Sequence, residues 1–388
     1  MKKKIFVVVI CLCLCTVMFS SCSGSVKLSE RALVQGIGID GDGEKIVLTL
    51  QIFSPSGGNK GELAATSENA KIIRSTGNTL AFAIENASLT QGKEIFLGHA
   101  RVIVIGEELA KLGLLQTLSY LTSNNFARQN ARLIICQGKA SDVLSSKTNQ
   151  GIIPCEMLEN LIKNSNQNGF VQDVKLFKFN RSLKNKYESA SLPIIQIVEQ
   201  TNEENKIENV SNIKVNGTAI LVDGKMSGSL NQSQTRGLLW IRDEIDKTTI
   251  KASDNAYEEA AIQIISTKSK IIPTFQNEKV KMKMIIEADG CLNEAVLRED
   301  ANVDMSDLSG LEKNCEEIIK AECIDAFNAG VVENNADIFN FGNLTYKYNV
   351  SLWKKLHTDW RNNCDEIEFS VVPTVKIKRV GTQFKTKM

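Results

Sequence analysis

The sequence predicts an α+β protein of more than one domain, with mixed and antiparallel sheets packed against helices. Three observations lead there. Residues 71–137 alternate between strand-like and helix-like patterns, which argues for a sheet covered by helices. The second half instead offers long strand candidates at 261–272 and 279–288, and one long amphipathic helix at 308–328. Between the halves lies a polar stretch, 199–208, with little to bury, expected as a linker. The resulting division is a signal segment at 1–21, a tether at 22–30, an N-terminal α/β region at 31–198 open to splitting into two subdomains, and a C-terminal α+β domain at 209–388.

In chain order, residues 31–40 read as a strand and Asp40-Gly41-Asp42-Gly43 as a turn. Residues 45–53 alternate, with Ile46, Leu48, Leu50 and Ile52 on one side, and so close a hairpin as a half-buried strand. A polar, Gly-rich excursion follows at 54–70. A strand at 71–75 leads into a helix at 78–88, where Leu80, Ile84, Ala87 and Leu89 fall near one face. Then come a strand at 101–105, a helix at 107–121 and a strand at 131–137. Pro154 opens a helix through Asn164, a position where its missing N–H has no intrahelical partner to lose. The pattern weakens over 166–187, and Pro193 with the apolar run 194–198 marks another strand.

Beyond the linker, 213–221 and 225–230 form a hairpin around Asp223-Gly224, and Asn231 is placed to cap a helix through Trp240. The helix at 308–328 carries a stripe of Leu308, Leu311, Cys315, Ile318, Cys323, Ala326 and Phe327. Asp307 is its expected cap and Gly330 stands just past its end. A last helix carries Trp353 and Trp360, and 368–379 closes as a strand.

The N-terminus carries the most specific chemistry. Lys2, Lys3 and Lys4 precede an apolar run from Ile5 to Met18, followed by Phe19-Ser20-Ser21-Cys22. A charged start, a short apolar core and small residues before a cut describe a secretory signal. The run is shorter than the roughly 18 residues of a membrane-spanning candidate. Cys22 directly after two serines is the mark of a bacterial lipoprotein signal, whose thiol takes a diacylglyceryl group before the cut makes it the first residue. The expectation is S-diacylglycerol and N-acyl modification of Cys22. Several acyl chains make a firm anchor, since each buried methylene contributes about 0.8 kcal/mol.

Apolar residues are 43% and charged residues 23%, ordinary for a folded protein. Lys+Arg (46) and Asp+Glu (45) nearly cancel, which argues against nucleic acid as a partner. Three cysteines (Cys11, Cys13, Cys15) fall in the signal; the body holds Cys136, Cys155, Cys291, Cys315, Cys323 and Cys364. Cys315 and Cys323 sit on one predicted helix, about 12 Å apart along its axis, too far for a disulfide. With no Cys-x-x-Cys pair, buried free thiols are the expectation.

Gly36-Ile37-Gly38-Ile39-Asp40-Gly41 matches a dinucleotide fingerprint by letter only, because a turn and strand follow where a helix must open. Asp40, Asp42 and Glu44 resemble the start of a calcium loop, but position twelve is Gln51 and lies in a strand. His99 and His357 have no nucleophile or metal-binding signature around them, and Glu316-Glu317 and Asp365-Glu366 read as solvated faces. Trp240, Trp353 and Trp360 are expected as core or interface anchors. No catalytic residue, cofactor or metal site is expected.

Four segments together resemble the C-subunit lipoproteins of spore germinant receptors, the Ger(x)C family. They are Gly36-Ile37-Gly38-Ile39-Asp40 with the strand after it; Gly217-Thr218-Ala219-Ile220-Leu221 with Lys225-Met226-Ser227-Gly228 and Thr235-Arg236-Gly237-Leu238-Leu239-Trp240; Ala336-Asp337-Ile338-Phe339-Asn340-Phe341-Gly342; and Trp353-Lys354-Lys355 with Trp360 and Lys376-Ile377-Lys378-Arg379-Val380-Gly381. Asn340 stands where a Gly is usual, and Ser23-Gly24 where Trp-Asp is frequent. The resemblance implies a non-enzymatic, extracytoplasmic subunit on the outer face of the inner spore membrane. It implies assembly with two integral membrane subunits, of A and B type, in a receptor that responds to nutrients, with no catalytic residues. The competing expectation is a lipid-anchored solute-binding protein of a transporter, which the long antiparallel strands of the second half fit poorly.

Overall fold

Asp42 turns the chain between the first two strands. Its Oδ1 accepts from the N–H groups of Glu44 (3.0 Å) and Lys45 (2.9 Å), and Gly43 takes the positive φ of 96° that the turn needs. β1 (Arg31–Gly41) and β2 (Ile46–Phe53) therefore pair antiparallel, with Ile39 opposite Leu48. The computed structural model describes Ile5 and residues 30–53, 70–123, 127–146, 152–185, 187–201, 207–298 and 307–380. The expected signal apart from Ile5, Cys22 and the tether through Ser29, the excursion at 54–69 and residues 202–206 lie outside the described residues.

The strands that follow are β3 (Ala70–Gly77), β4 (Glu94–Phe96), β5 (Val102–Gly106), β6 (Arg132–Cys136), β7 (Ala190–Thr201), β8 (Ile207–Val222) and β9 (Lys225–Leu230). Among the described residues they form one sheet with the order β3-β2-β1-β5-β6-β7-β8-β9, and β4 lies beside the start of β1. The centre, β1-β5-β6-β7, is parallel and the flanks are antiparallel. All five residues of β5 are buried, as a strand covered on both faces must be. The run expected at 194–198 belongs to β7, parallel to β6 in this same sheet. The two ends of the polar stretch 199–208 extend β7 and begin β8, which pair as a hairpin.

Among the described residues, six helices cover the faces: α1 (Leu80–Gln91), α2 (Glu107–Leu112), α3 (Leu115–Ser123), α4 (Ala140–Ser145), α5 (Pro154–Gln167) and α6 (Leu176–Lys184). One face packs Leu48, Leu50, Ile103 and Ile105 against α1, α2, α3 and α6; the other packs Val102, Val104 and Ile134 against α4 and α5. The glycines of the fingerprint make the second packing possible. A Cβ on Gly36 would stand 2.8 Å from the Cβ of Cys155 in α5, and one on Gly38 would stand 3.0 Å from Leu144 in α4. They serve helix–sheet approach, their empty Cβ positions facing side chains of α4 and α5.

Three expectations need correction in this half. The helix expected over 107–121 is two helices, because Gly113 takes φ 132° and ends α2. β4, α4 and α6 arise where no element was expected, on segments too short or too polar for a clear period. Leu89, placed on the buried face of its helix, is 78% exposed; Leu80, Ala83 and Ala87 form that face.

The second half continues with α7 (Gln232–Ile241), β10 (Thr248–Ala252), β11 (Tyr257–Gln276), β12 (Lys279–Leu297), α8 (Ser309–Phe327), α9 (Phe341–Tyr348), α10 (Val350–Leu356) and β13 (Glu368–Val380). Asn231 and Gln234 cap α7 reciprocally, each backbone N–H donating to the other's side chain at 2.9 Å. The four strands form a sheet in the order β10-β11-β12-β13, with β13 parallel to β12. Asn277 and Glu278 both take positive φ in the tight β11–β12 turn. β13 is an edge, and α8 covers it: Glu312 and Glu316 accept the N–H groups of Ile377 (2.9 Å) and Val375 (3.0 Å).

α8 buries Leu311, Cys315, Ile319, Cys323, Ala326 and Phe327, while Ile318, expected in that stripe, is half-buried. Asp307 accepts from Ser309 N–H at 3.0 Å, and Leu308 takes the cap position instead. Gly330 does not end the helix but sits in a π-helical turn, Asn328–Val332, where a Cβ would stand 3.0 Å from the Phe339 ring. The helix expected to carry both Trp353 and Trp360 breaks after α10 at a 3₁₀ turn, His357–Asp359. The architecture is α+β, mixed sheets with helices packed on them.

The six body cysteines are free, and all but Cys291 are buried. Burial pushes the thiols of Cys155, Cys315 and Cys364 up to about 12, and raises those of Cys136 and Cys323. At pH 8 a colorimetric thiol reagent should therefore label at most Cys291 rapidly in the folded chain from Ser23 onward, and all six after denaturation. Between the unfolded value near 9.0 and about 12, only the unfolded chain ionises these thiols, so stability should fall as pH rises through that window. A second test concerns Gly36→Ala, which should lower the unfolding free energy read from urea denaturation by an amount on the order of 2 kcal/mol through overpacking against Cys155.

Candidate functional site

The resemblance-bearing segment 336–342 is shaped by one carboxylate. Asp337, 2% exposed, accepts at Oδ1 from the N–H groups of Phe339 (3.2 Å) and Phe341 (3.0 Å). At Oδ2 it accepts from Gly342 N–H (2.7 Å) and from the Trp360 indole Nε1–H (3.1 Å). Burial pushes the Asp337 carboxyl above its ordinary value, and these four donors oppose that shift. The chain must curl to deliver three N–H groups to one side chain, and Asn340 supplies the bend with φ 68°. Asn tolerates this left-handed conformation better than other non-glycine residues, so it can stand where a glycine is usual.

The curl organises an aromatic cluster. A Cβ on Gly342 would lie 3.0 Å from Trp360 Nε1 and 3.1 Å from Trp353, so the missing side chain is what admits both indoles. Their centroids are 5.1 Å apart, and Tyr187 meets Trp353 edge-on at 4.8 Å. Phe339 stacks on Phe341 at 5.3 Å, and Phe327 on Phe369 of β13 at 4.8 Å. All three tryptophans are buried, as core or junction anchors.

Several polar links join this cluster to the larger sheet. The Asp337 carbonyl accepts from Ser189 N–H at 3.0 Å, just before β7. Arg242, at the end of α7, donates from Nε to the Ile338 carbonyl (2.9 Å), from Nη1 to Gln172 Oε1 (3.1 Å) and from Nη2 to Ser191 Oγ (3.1 Å). Arg361 forks onto Asp223 in the β8–β9 turn, with Nη2 to Oδ1 at 2.6 Å. That guanidinium holds the Asp223 carboxyl below the usual carboxylate range. Where α7 crosses α8, Glu322 is 4% exposed and accepts from Arg236 Nε (2.9 Å) and Trp240 Nε1 (3.2 Å). Gly237 permits that crossing, since a Cβ there would stand 2.0 Å from the Glu322 carbonyl oxygen.

Asp40, the last residue of Gly36-Ile37-Gly38-Ile39-Asp40, works at a distance from its own turn. It accepts from the N–H groups of Ala140 (2.7 Å) and Ser141 (2.9 Å), tying the start of α4 to the end of β1. Two clefts flank the junction. One, of about 710 Å³, is lined by Tyr187, Glu188, Asp223, His357 and Arg361 among others; the second, of about 500 Å³, has Arg242, Phe179 and Asn343 in its walls. His357 Nδ1 lies 3.0 Å from the Lys354 carbonyl, and His99 lies against Phe96 at 5.7 Å, so the two histidines serve different surroundings. Among the described residues, no group of three or more His, Cys, Asp or Glu side chains is arranged to hold a metal ion. The arrangement is one of ordered contact: buried charges are matched to fixed donors, and the residue carrying the expected covalent chemistry, Cys22, lies outside the described residues.

Sequence reasoning singled out Asp337, both late tryptophans and Asp40 by their motifs but not their partners. It missed Glu322, Arg242 and the pair Asp223–Arg361. Glu322 left a faint signal, an acid inside the apolar stripe of α8 eighty-six positions from Arg236.

Residues 24–197 match the family described as the spore germination protein N-terminal domain, and residues 216–381 match the C-terminal family described as spore germination B3/GerAC like. Two Bacillus subtilis (strain 168) proteins align over nearly their whole length. YfkR is 22% identical, covering 100% of this chain and 99% of its own, and spore germination protein KC is 22% identical, covering 95% and 94%. The crystal structure of the GerBC protein shares the fold, with a TM-score of 0.57 at 20% identity over 88% of this chain and 96% of that one.

Replacing Asp337 by Asn turns one acceptor oxygen into an N–H₂ group facing the Gly342 and Trp360 donors. The loss in unfolding free energy should be about 3 kcal/mol, the cost of leaving such buried donors unpaired. Urea unfolding followed by tryptophan fluorescence measures it; a change within a few tenths would show that the carboxylate does not hold this segment.

Proposed function

The chain belongs to the GerAC-like family of spore germination proteins, and from that premise we propose that it is the lipid-anchored, extracytoplasmic subunit of a nutrient germinant receptor. The observation that carries the anchor is positional. The N-terminal family match begins at residue 24, two residues beyond Cys22, so the apolar run and Ser20-Ser21 stand outside the conserved body in the place a cleaved lipoprotein signal occupies. Among the described residues, no helix is long and apolar enough to cross a membrane. Acylation of Cys22 supplies the hold on the bilayer that the body's helices do not.

The body supports assembly in this reading. Its buried ion pairs and aromatic cluster fix two sheets into one shape, and fixed shape is what a subunit contributes to a complex with integral membrane partners of the A and B type. The anchor keeps the body beside those partners at high effective concentration, on the outer face of the inner spore membrane. The nutrient signal then passes through contact, with no chemical step on this chain.

In a sporulating host, Cys22→Ala should move the protein from the membrane pellet to the soluble fraction and slow nutrient-triggered germination, scored by loss of spore refractility. A fully soluble variant with normal germination would sink the anchored-subunit reading. A tagged wild-type chain purified from spore membranes should carry two integral membrane proteins with it.

A further inference from the structure

We propose that the end of the larger sheet where β1 begins rests on an anionic lipid surface, with Leu89 and Phe177 at the acyl–headgroup boundary and Lys93 and Arg128 among the phosphates. This rests on the Cys22 anchor proposed above. The first argument is chain length. Ser23 to Ser29 are all that separate Cys22 from Glu30, where the described body begins. Fully extended, that connection spans at most about 28 Å. The start of β1 is therefore held within that distance of the acylated Cys22, and residues around it are the ones the anchor brings nearest the bilayer.

Specific contacts show what lies there. Arg31 is in register with Glu94 of β4, and Phe53 at the end of β2 with Ala70 at the start of β3. Lys71 Nζ reaches Gln91 Oε1 at 3.0 Å, which places the last turn of α1 at this same end. On the other side, the Gln35 carbonyl accepts from Arg101 N–H (2.7 Å), the Arg101 carbonyl from Arg132 N–H (2.9 Å), and the Gln129 carbonyl from Phe177 N–H (3.1 Å). Neighbouring strands lie about 4.8 Å apart, so β3 through β6 span on the order of 20 Å. The whole end falls within the tether's reach.

The exposed side chains at this end suit a bilayer. Leu89, at 78%, is the most exposed large apolar residue among the described ones, and Phe177 is 44% exposed. Lys93, Arg128 and Lys178 are exposed as well. Among the described residues the acids here are mostly paired: exposed Glu94 with Arg31 (3.1 Å), Glu159 with Arg101 and Arg132, and Asp173 with Arg132 (2.8 Å), and Glu30 is a further exposed acid near the tether. Single exposed leucines are ordinary on soluble proteins. What selects this one is its coincidence with basic side chains and with the end of the chain that carries the anchor, the composition by which interfacial surfaces bind anionic lipid.

The test uses the full, lipidated chain on vesicles of equal parts phosphatidylcholine and phosphatidylglycerol. In a Cys291→Ser background, an environment-sensitive fluorophore is placed at Leu89→Cys or, on the smaller sheet, at Asn277→Cys. The label at 89 should shift to the blue and be quenched by spin-labelled lipid, and the label at 277 should do neither. Combining Lys93→Glu with Arg128→Glu, or omitting phosphatidylglycerol, should reduce the quenching at 89. Equal exposure of both labels to water on vesicles that do carry the protein would overturn this orientation while leaving the anchor intact. Failure of the chain to co-sediment with vesicles would take down the anchor and this proposal together. A label at 89 that stays in water on protein-free vesicles, but is shielded in spore membranes, would assign the surface to a membrane protein instead.

Discussion

The carboxylate of Asp337 is the constraint on which the C-terminal helices depend. Removing such a group from water is costly unless donors meet it, and here three backbone N–H groups and one indole N–H do so. To bring those donors together the backbone must reverse at Asn340, Gly342 must lack a side chain, and Trp360 must arrive from beyond α10. The phenylalanine stack then has one place to go, between α8 and β13. A short polar requirement thus dictates the packing of a large apolar cluster, the reverse of the usual order in which a core forms and polar groups adapt.

The same economy of space recurs wherever two elements approach closely. Gly36 and Gly38 bring α4 and α5 onto the sheet, Gly237 lets α7 lie across α8, and Gly342 admits two indoles. Beside these approaches, charged groups are fixed by hydrogen bonds from other elements: Asp40 by the first N–H groups of α4, Glu322 by Arg236 and Trp240. Such networks stabilise chiefly by avoiding unpaired buried charge, so they define one arrangement more than they add free energy.

Much of this was legible from local pattern. The β1–β2 hairpin announced itself by strict alternation and Asp40-Gly41-Asp42-Gly43 at the turn, and α7 by Asn231 at its cap. The long strands of the smaller sheet were visible in position but not in length, because β11 and β12 run on through Glu258 and Glu259, Pro273, and Asp289 to Leu297, residues that do not keep a plain apolar alternation. α4 and α6 were not legible, being too short to complete a period. At the junction, motif residues could be named from the sequence, yet their partners could not. Trp360 follows Asp337 by twenty-three positions and Arg361 follows Asp223 by 138, separations that only the folded topology closes. Ile318 and Glu322 exchange the roles that helical spacing assigned, because Arg236 and Trp240 give the acid a better-matched burial than solvent.

β8 gives these observations a mechanical meaning. Ala219 and Leu221 point into the core of the larger sheet, while Ile220 between them points into the core shared with the smaller one. One strand is thus wall to both rooms, and its two faces are separated by nothing but the pleat. Moving one sheet relative to the other would therefore require repacking of side chains one residue apart on this shared strand, since cores are close-packed on both of its faces.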